Sequence, residues 1–285
     1  MGMNLQKLQE FLESDPCIIV EISGAKGSCP REKGTWMLVN SSNFIGTIGG
    51  GQLEYIGIDS ARQMLRSGDK NHELDVPLGP EIGQCCGGRV ALDLTRVNAD
   101  IALNLMMRLE QEIEQLPHCY IMGAGHVGRA LALAMMPLPF KTIVVDTRKE
   151  ELEMLPSDVE ARLTAMPEAV VRSAPAKSIF VILTHDHAMD FMIALEALSQ
   201  RDAAYVGMIG SSTKRARYTS WAKEQGASSR QIDTLICPIG GDKLPDKRPE
   251  VIAALVAGEI LVHTGMSPKQ TLDSTENKRQ FLGGN

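Results

Sequence analysis

The sequence predicts an α/β protein: a small α+β N-terminal domain followed by a Rossmann-like, doubly wound parallel-sheet domain. Three observations carry this. From His118 onward, short apolar runs alternate with helical patterns, the signature of βα units. The first such unit holds Gly123-Ala124-Gly125-His126-Val127-Gly128 between strand and helix, and the next strand ends in Asp146. Before residue 98 the pattern differs: short β-runs lie close together, and two glycine loops each begin or end a strand. The expected boundaries are 1–97 for the first domain, 98–117 for a connecting helix, 118–265 for the second domain and 266–285 for a loose polar tail.

Taken in order, leucines at 5, 8 and 12 with Phe11 give an amphipathic helix over residues 3–13, stopped by Asp15-Pro16. Residues 17–22 read as a buried strand. A loop over 23–34 follows, with Gly24, Gly27 and Gly34 around Ser28-Cys29-Pro30-Arg31-Glu32. Residues 35–39 and 43–48 form a hairpin about Asn40-Ser41-Ser42. Gly49-Gly50-Gly51-Gln52-Leu53-Glu54 then leads into a helical pattern over 53–65. Residues 72–76 and 89–94 are further strands, the second preceded by Gly83-Gln84-Cys85-Cys86-Gly87-Gly88. Residues 98–116 read as a helix with apolar positions 101, 103, 105, 109, 113 and 116, and Pro117 marks its end.

In the second domain, strands are expected at 119–122, 141–145, 159–163, 178–183, 203–209 and 235–239. Helices begin within the Gly123–Gly128 run, at about 189, in Gly210-Ser211-Ser212-Thr213-Lys214-Arg215, and at 249.

Composition narrows the function. A chain of 285 residues can bury two cores. A net charge of -6 gives no electrostatic case for nucleic acid or an anionic membrane. No apolar run approaches the roughly 20 residues that span a bilayer, and the first ten residues lack the apolar core of a signal peptide. Cysteines at 17, 29, 85, 86, 119 and 237 include no CxxC pair, which argues against a disulfide framework or a structural zinc. The expected compartment is the reducing cytoplasm.

The candidate chemistry sits at glycine-rich turns. Cys85 and Cys86 offer two soft sulfur donors between glycines, with Gln84 and Gly87 beside them; the plainer reading is two small buried residues, or a vicinal disulfide. Gly49, Gly50 and Gly51, followed by Gln52 and Glu54, set a strand–glycine–helix layout that points main-chain N–H groups at an anion; it is also an ordinary tight turn. Glu54 is the best carboxylate for acid–base work, although such a glutamate commonly caps its helix. Gly123, Gly125, Gly128 and Asp146, with His126, make the dinucleotide fingerprint. At other strand ends stand His185 and the run holding Ser211, Ser212 and Lys214, which reads either as an anion site or as a capped helix with a solvated basic face. His185, His187 and Asp190 also raise a metal-dependent hydrolase as a minor alternative. No Ser-His-Asp elbow, P-loop or HExxH helix is present.

Together these stretches resemble the XdhC/CoxI family. The resemblance rests on residues 28–32 (SCPRE), 46–54 (GTIGGGQLE), 78–89 (LGPEIGQCCGGR), 123–130 (GAGHVGRA), 144–148 (VVDTR), 184–190 (THDHAMD), 207–215 (GMIGSSTKR) and 237–240 (CPIG), in family order over nearly the whole chain. The chain departs at Gly241-Asp242-Lys243-Leu244-Pro245, where many relatives are more apolar. The resemblance implies a chaperone in place of a turnover enzyme. Such a protein binds molybdenum cofactor (molybdopterin), keeps it while a cysteine desulfurase exchanges an oxo ligand for sulfur, and passes it to the molybdenum subunit of apo xanthine dehydrogenase. A homodimer is expected; the resemblance does not say which cysteine, if either, meets the metal, and the expectation here is Cys85 and Cys86 jointly, with neither singled out. The alternative from another class is an NAD(P)-dependent oxidoreductase with a nucleotide at the Gly123–Gly128 loop.

Overall fold

The computed structural model describes residues 3–79, 87–200, 202–241 and 246–265. The chain divides into two compact units, Met1–Gln115 and Leu116–Asn285.

The first unit contains α1 (Leu5–Ser14), β1 (Ile18–Lys26), β2 (Trp36–Val39), β3 (Phe44–Gly46), α2 (Gly51–Ser67), β4 (Asn71–Leu78), β5 (Gly88–Arg96) and α3 (Ala99–Glu114). Its five strands form one antiparallel sheet in the order β3-β2-β1-β5-β4. The two-residue period of β1 sends Ile18, Val20 and Ile22 to the face covered by α2, where they meet Leu53, Ile58 and Met64. Cys17 and Ile19 turn to the other face and pack with Leu8 and Phe11 of α1 and Leu105 and Leu109 of α3. A central strand buried on both faces therefore reads as an unbroken apolar run. The helix expected as a connector, α3, thus contributes to this unit's own core; Asn98 caps it through Ile101 N at 2.9 Å. The hairpin is present, with Asn40 Oδ1 accepting from the N–H groups of Ser42 (3.0 Å) and Asn43 (2.6 Å). One difference concerns β1, which runs on to Lys26 where the sequence suggests a loop. A bulge between Ile22 and Gly24 absorbs the irregularity, and Gly24, Ala25 and Lys26 keep pairing with Ala91, Val90 and Arg89.

The second unit contains β6 (His118–Met122), α4 (His126–Met135), β7 (Lys141–Asp146), α5 (Lys149–Leu152), β8 (Glu160–Leu163), α6 (Pro167–Arg172), β9 (Ile179–Ile182), α7 (His187–Ser199), β10 (Tyr205–Met208), α8 (Ser212–Glu224), α9 (Ser229–Asp233) and α10 (Pro249–Thr264). All five strands are parallel, in the order β10-β9-β6-β7-β8. That is the doubly wound arrangement, reversing between β6 and β9. Cys119 and Ile121 face one helical layer with Leu131, Met135, Val256 and Ile260; Tyr120 and Met122 face the other with Val171, Ile193, Ala197 and Tyr218.

The short helices α5, α6 and α9 were not expected from periodicity, because four to six residues are too few to show one. Their ends are nonetheless written in the sequence: Pro167 stands in the first turn of α6, and Ser228 and Gln231 make a capping box on α9. The sixth strand is reduced to a single parallel bridge between Gly207 and Ile236. Ile236 exchanges hydrogen bonds with Val206 and Met208, and Pro238, having no N–H, cannot extend the ladder.

Candidate functional site

Ligands of doubly wound sheets bind beyond the carboxyl ends of the strands, at the point where the order reverses. Here the loops after β6 and β9 touch. A Cβ on Gly123, whose φ is +130°, would lie 2.5 Å from the carbonyl oxygen of Leu183 and 3.1 Å from Thr184 Cα. A Cβ on Gly128 would fall inside the carbonyl of Gly123, so both positions exclude any larger residue. Gly125 precedes the first turn of α4 and faces open space, and His126 beside it is exposed.

Asp146 closes β7 and is 4% exposed. Its Oδ2 accepts from Ala124 N (2.7 Å) and Arg148 Nη2 (3.0 Å), and its Oδ1 from Arg148 N (2.9 Å) and Arg148 Nε (3.0 Å). Burial alone would raise this carboxyl, but the Arg148 guanidinium and the two main-chain donors outweigh it and hold it below the ordinary carboxylate range. Arg148 also pairs with Glu151 at 3.3 Å, and Glu151 with Arg129 at 2.5 Å; Arg129 returns to the loop through the carbonyl of Ala124 at 2.9 Å.

After β9, Asp186 caps α7 through Ala188 N (2.6 Å) and Met189 N (3.1 Å), which starts that helix at His187. Asp190 is fully buried. Its Oδ1 accepts from Thr184 N (2.9 Å) and Thr184 Oγ1 (2.7 Å), and its Oδ2 from Lys214 Nζ. Lys214 also donates to the carbonyl of Ile209 at 2.8 Å, and Arg215 to that of Leu235. Both cations of the Gly210–Arg215 run are thus turned into the protein and engaged there. Ser211 caps α8, accepting from Lys214 N at 3.3 Å, and Ser212 is exposed. Cys237 Sγ lies against Gly210; burial pushes its thiol up, while Lys214 and Arg215 pull the other way. His185 and His187 are exposed, with His187 Nδ1 4.0 Å from Asp190 Oδ2. Among the described residues no three His, Cys, Asp or Glu side chains converge to hold a metal ion.

The first unit gathers a separate group. Gly49, Gly50 and Gly51 all have left-handed φ, and Gly50 adds no side-chain cap to α2. Glu54 folds back over the turn, its Oε2 accepting from Thr47 Oγ1 (2.5 Å), Gly50 N (3.2 Å) and Ile48 N (3.3 Å). Its carboxylate staples the helix start, and Gln52 beside it is exposed. Pro30 packs against Gly49, while Ser28 bridges to Gly87 and Cys29 Sγ lies against Gly88. The Ser28–Pro30 loop therefore joins the two glycine turns. Cys29 is a free, half-buried thiol whose Sγ donates to the carbonyl of Lys26 at 3.3 Å. Gln84, Cys85 and Cys86 lie outside the described residues. Gly49 N donates to Thr47 Oγ1 at 3.1 Å, so the N–H groups of Ile48, Gly49 and Gly50 are all engaged within the turn. What this end of the unit adds beside them is the start of α2 and the Cys29 sulfur.

The residue-by-residue reading of the sequence singled out neither Cys29 nor the Arg129–Glu151–Arg148 chain as site residues. The signal for Arg148 was its place two residues after the strand-ending Asp146, and for Cys29 its place between Gly27 and Pro30.

No helix among the described residues is long and apolar enough to cross a membrane. The uncharacterized protein YqeB of Escherichia coli K12 is 26% identical over 260 residues, which are 90% of this chain and 44% of that protein. The chain thus spans less than half the length of that relative. A solved structure described as a xanthine dehydrogenase from Bacillus halodurans superposes with a TM-score of 0.74 over 95% of this chain and 98% of that one, at 17% identity, a likeness of fold. Residues 119–260 match the XdhC Rossmann domain, and residues 12–75 match the XdhC and CoxI family. On those two matches, one in each unit, the chain belongs to the XdhC and CoxI family.

Proposed function

We propose that the protein is a carrier for molybdenum cofactor. It holds the molybdopterin form while a cysteine desulfurase replaces an oxo ligand on molybdenum with sulfur, and then delivers it to apo xanthine dehydrogenase. The observation that carries this reading is the family match in both units, at residues 12–75 and 119–260. The solved structure of like fold, described as a xanthine dehydrogenase, points to the partner. In this reading Cys85 and Cys86 jointly offer thiolate sulfur to a thiophilic metal. The phosphate end of the pterin is placed by this reading at the start of α2, at Gly51 and Gln52, where the first N–H groups of a helix have no intrahelical partner, on a turn of Gly49 and Gly50 that Glu54 holds in shape. His185, Ser211 and Ser212 line the carboxyl edge of the second sheet, with Lys214 and Asp190 fixing its loops. The protein works as a cytoplasmic homodimer and turns nothing over itself.

The test is an absorption spectrum and mass spectrum of protein isolated from molybdate-supplied cells. The expected result is bound molybdopterin and molybdenum, both reduced in Cys85→Ala and in Cys86→Ala with the melting temperature unchanged. Protein free of pterin defeats the carrier reading; equal retention in both variants defeats the role given to the thiols.

An NAD(P)-dependent oxidoreductase is favoured by one feature, the glycine turn between β6 and α4. Against it stands Asp146, whose oxygens are already filled by Ala124 and Arg148.

A further inference from the structure

The strand order and glycine turn of the second unit are those that elsewhere hold a dinucleotide, the acid at the end of the second strand accepting the adenosine ribose hydroxyls. The turn fits such a ligand: Gly123 and Gly128 make the close approaches, and Gly125 faces open space. The acid does not. A carboxylate has about four lone-pair sites. Four N–H groups take those of Asp146, all within 3.0 Å: Ala124 N, Arg148 N, Arg148 Nε and Arg148 Nη2. Glu151 holds the far side of the Arg148 guanidinium and is itself held by Arg129. Two guanidinium groups and two carboxylates leave the network neutral. A ribose hydroxyl finds no acceptor there, and a 2′-phosphate finds no uncompensated cation.

We propose that Arg148 closes the ribose subsite, so that the Gly123–Gly128 turn rejects both NAD(H) and NADP(H), and that removing its side chain uncovers Asp146 for NADH. Arg148 is thus a specificity-determining residue in a fold that keeps the dinucleotide turn without its ligand. The inference stands apart from the carrier reading, since it holds whatever the first unit binds.

The experiment titrates the full chain and Arg148→Ala with NADH and with NADPH, followed by calorimetry and by nicotinamide fluorescence. The wild-type protein is expected to show no saturable binding of either up to about 1 mM. Arg148→Ala is expected to bind NADH at least ~10-fold more tightly than wild type, and to discriminate against NADPH because a bare Asp146 carboxylate repels the 2′-phosphate. Saturable NADH binding by the wild type overturns the proposal, and so does a folded Arg148→Ala that binds no better. Should Arg148→Ala lose its melting transition, Arg148→Gln is read by the same criteria, since an amide cannot fork across both carboxylate oxygens. Pterin content, measured on the same wild-type preparation, reports on the carrier reading separately.

Discussion

Lys214 Nζ lies 2.5 Å from Asp190 Oδ2, with Asp190 fully buried and the lysine side chain 11% exposed. The pair joins four places along the chain, because Asp190 also takes both donors of Thr184 and Lys214 also donates to the carbonyl of Ile209. The loops after β9 and β10 are thereby fixed to α7 and α8 at the carboxyl edge of the sheet. A lysine that the sequence offers as a ligand contact instead positions the loops that would make one.

Removing one partner leaves the other charge buried without compensation, which typically costs about 3 kcal/mol. Asp190→Asn and Lys214→Met are each expected to lower unfolding stability by roughly that amount in urea titrations. The double variant Asp190→Asn/Lys214→Met is expected to lose clearly less than the sum of the two, because neither charge remains and the introduced amide carbonyl can still accept from Thr184. Strictly additive losses would show that the two side chains act independently.

Gly128 is the second test of the carboxyl edge. A Cβ there has no room against the carbonyl of Gly123, and the atom in its way is backbone, which cannot rotate aside. Gly128→Ala is expected to lose roughly 3 kcal/mol, read as a fall in melting temperature. Gly125→Ala has open space and should melt within a degree or two of wild type, a change of about 0.5 kcal/mol or less.

The regular parts of this fold are legible in the sequence, and the reason is local. The apolar run at residues 179–182 is buried on both faces, and the fingerprint between β6 and α4 is written in one contiguous run of residues. What escapes is decided by distant partners. Gly24 and Gly27 look like loop punctuation, yet β5 pairs with the backbone from Gly24 through Lys26. Lys214 and Arg215 follow two serines at a helix start and look like an anion site; only the positions of Asp190 and Leu235 show that both charges point inward. Asp146 is identified correctly as a strand-ending acid, but its occupation by Arg148 depends on a side-chain geometry that spacing does not encode.

The four described cysteines should separate by reactivity. Burial pushes the thiols of Cys17 and Cys119 up to about 11 and about 12, and raises that of Cys237 as well. Cys29 is only half-buried and lies at the surface of the first unit. Brief treatment of the native protein with N-ethylmaleimide at pH 8, followed by peptide mapping, is expected to label Cys29 and to spare Cys17, Cys119 and Cys237 until urea is added. Labelling of Cys119 at the rate of Cys29 would contradict the packing of β6.

Acid should act partly through Asp146. Its folded-state carboxyl is held below the ordinary value of about 3.9 for an aspartate. Between that value and the lower folded one, the unfolded chain binds more protons than the native state, so stability rises with pH across the interval. The contribution is complete only above about pH 5, begins to decline as pH falls through the unfolded value, and is lost as pH falls through the folded one. Asp75, Asp186 and Asp246 are depressed too, which means the wild-type acid transition alone assigns nothing to one residue. The difference between wild type and Asp146→Asn does. The variant is expected to be less stable at pH 7 and to lose less further stability on acidification, so that the two urea midpoints converge below the folded value. Midpoints that stay parallel from pH 7 down to about pH 2 would mean that the proton equilibrium of Asp146 is the same folded and unfolded, and that the Arg148 fork does not hold its charge.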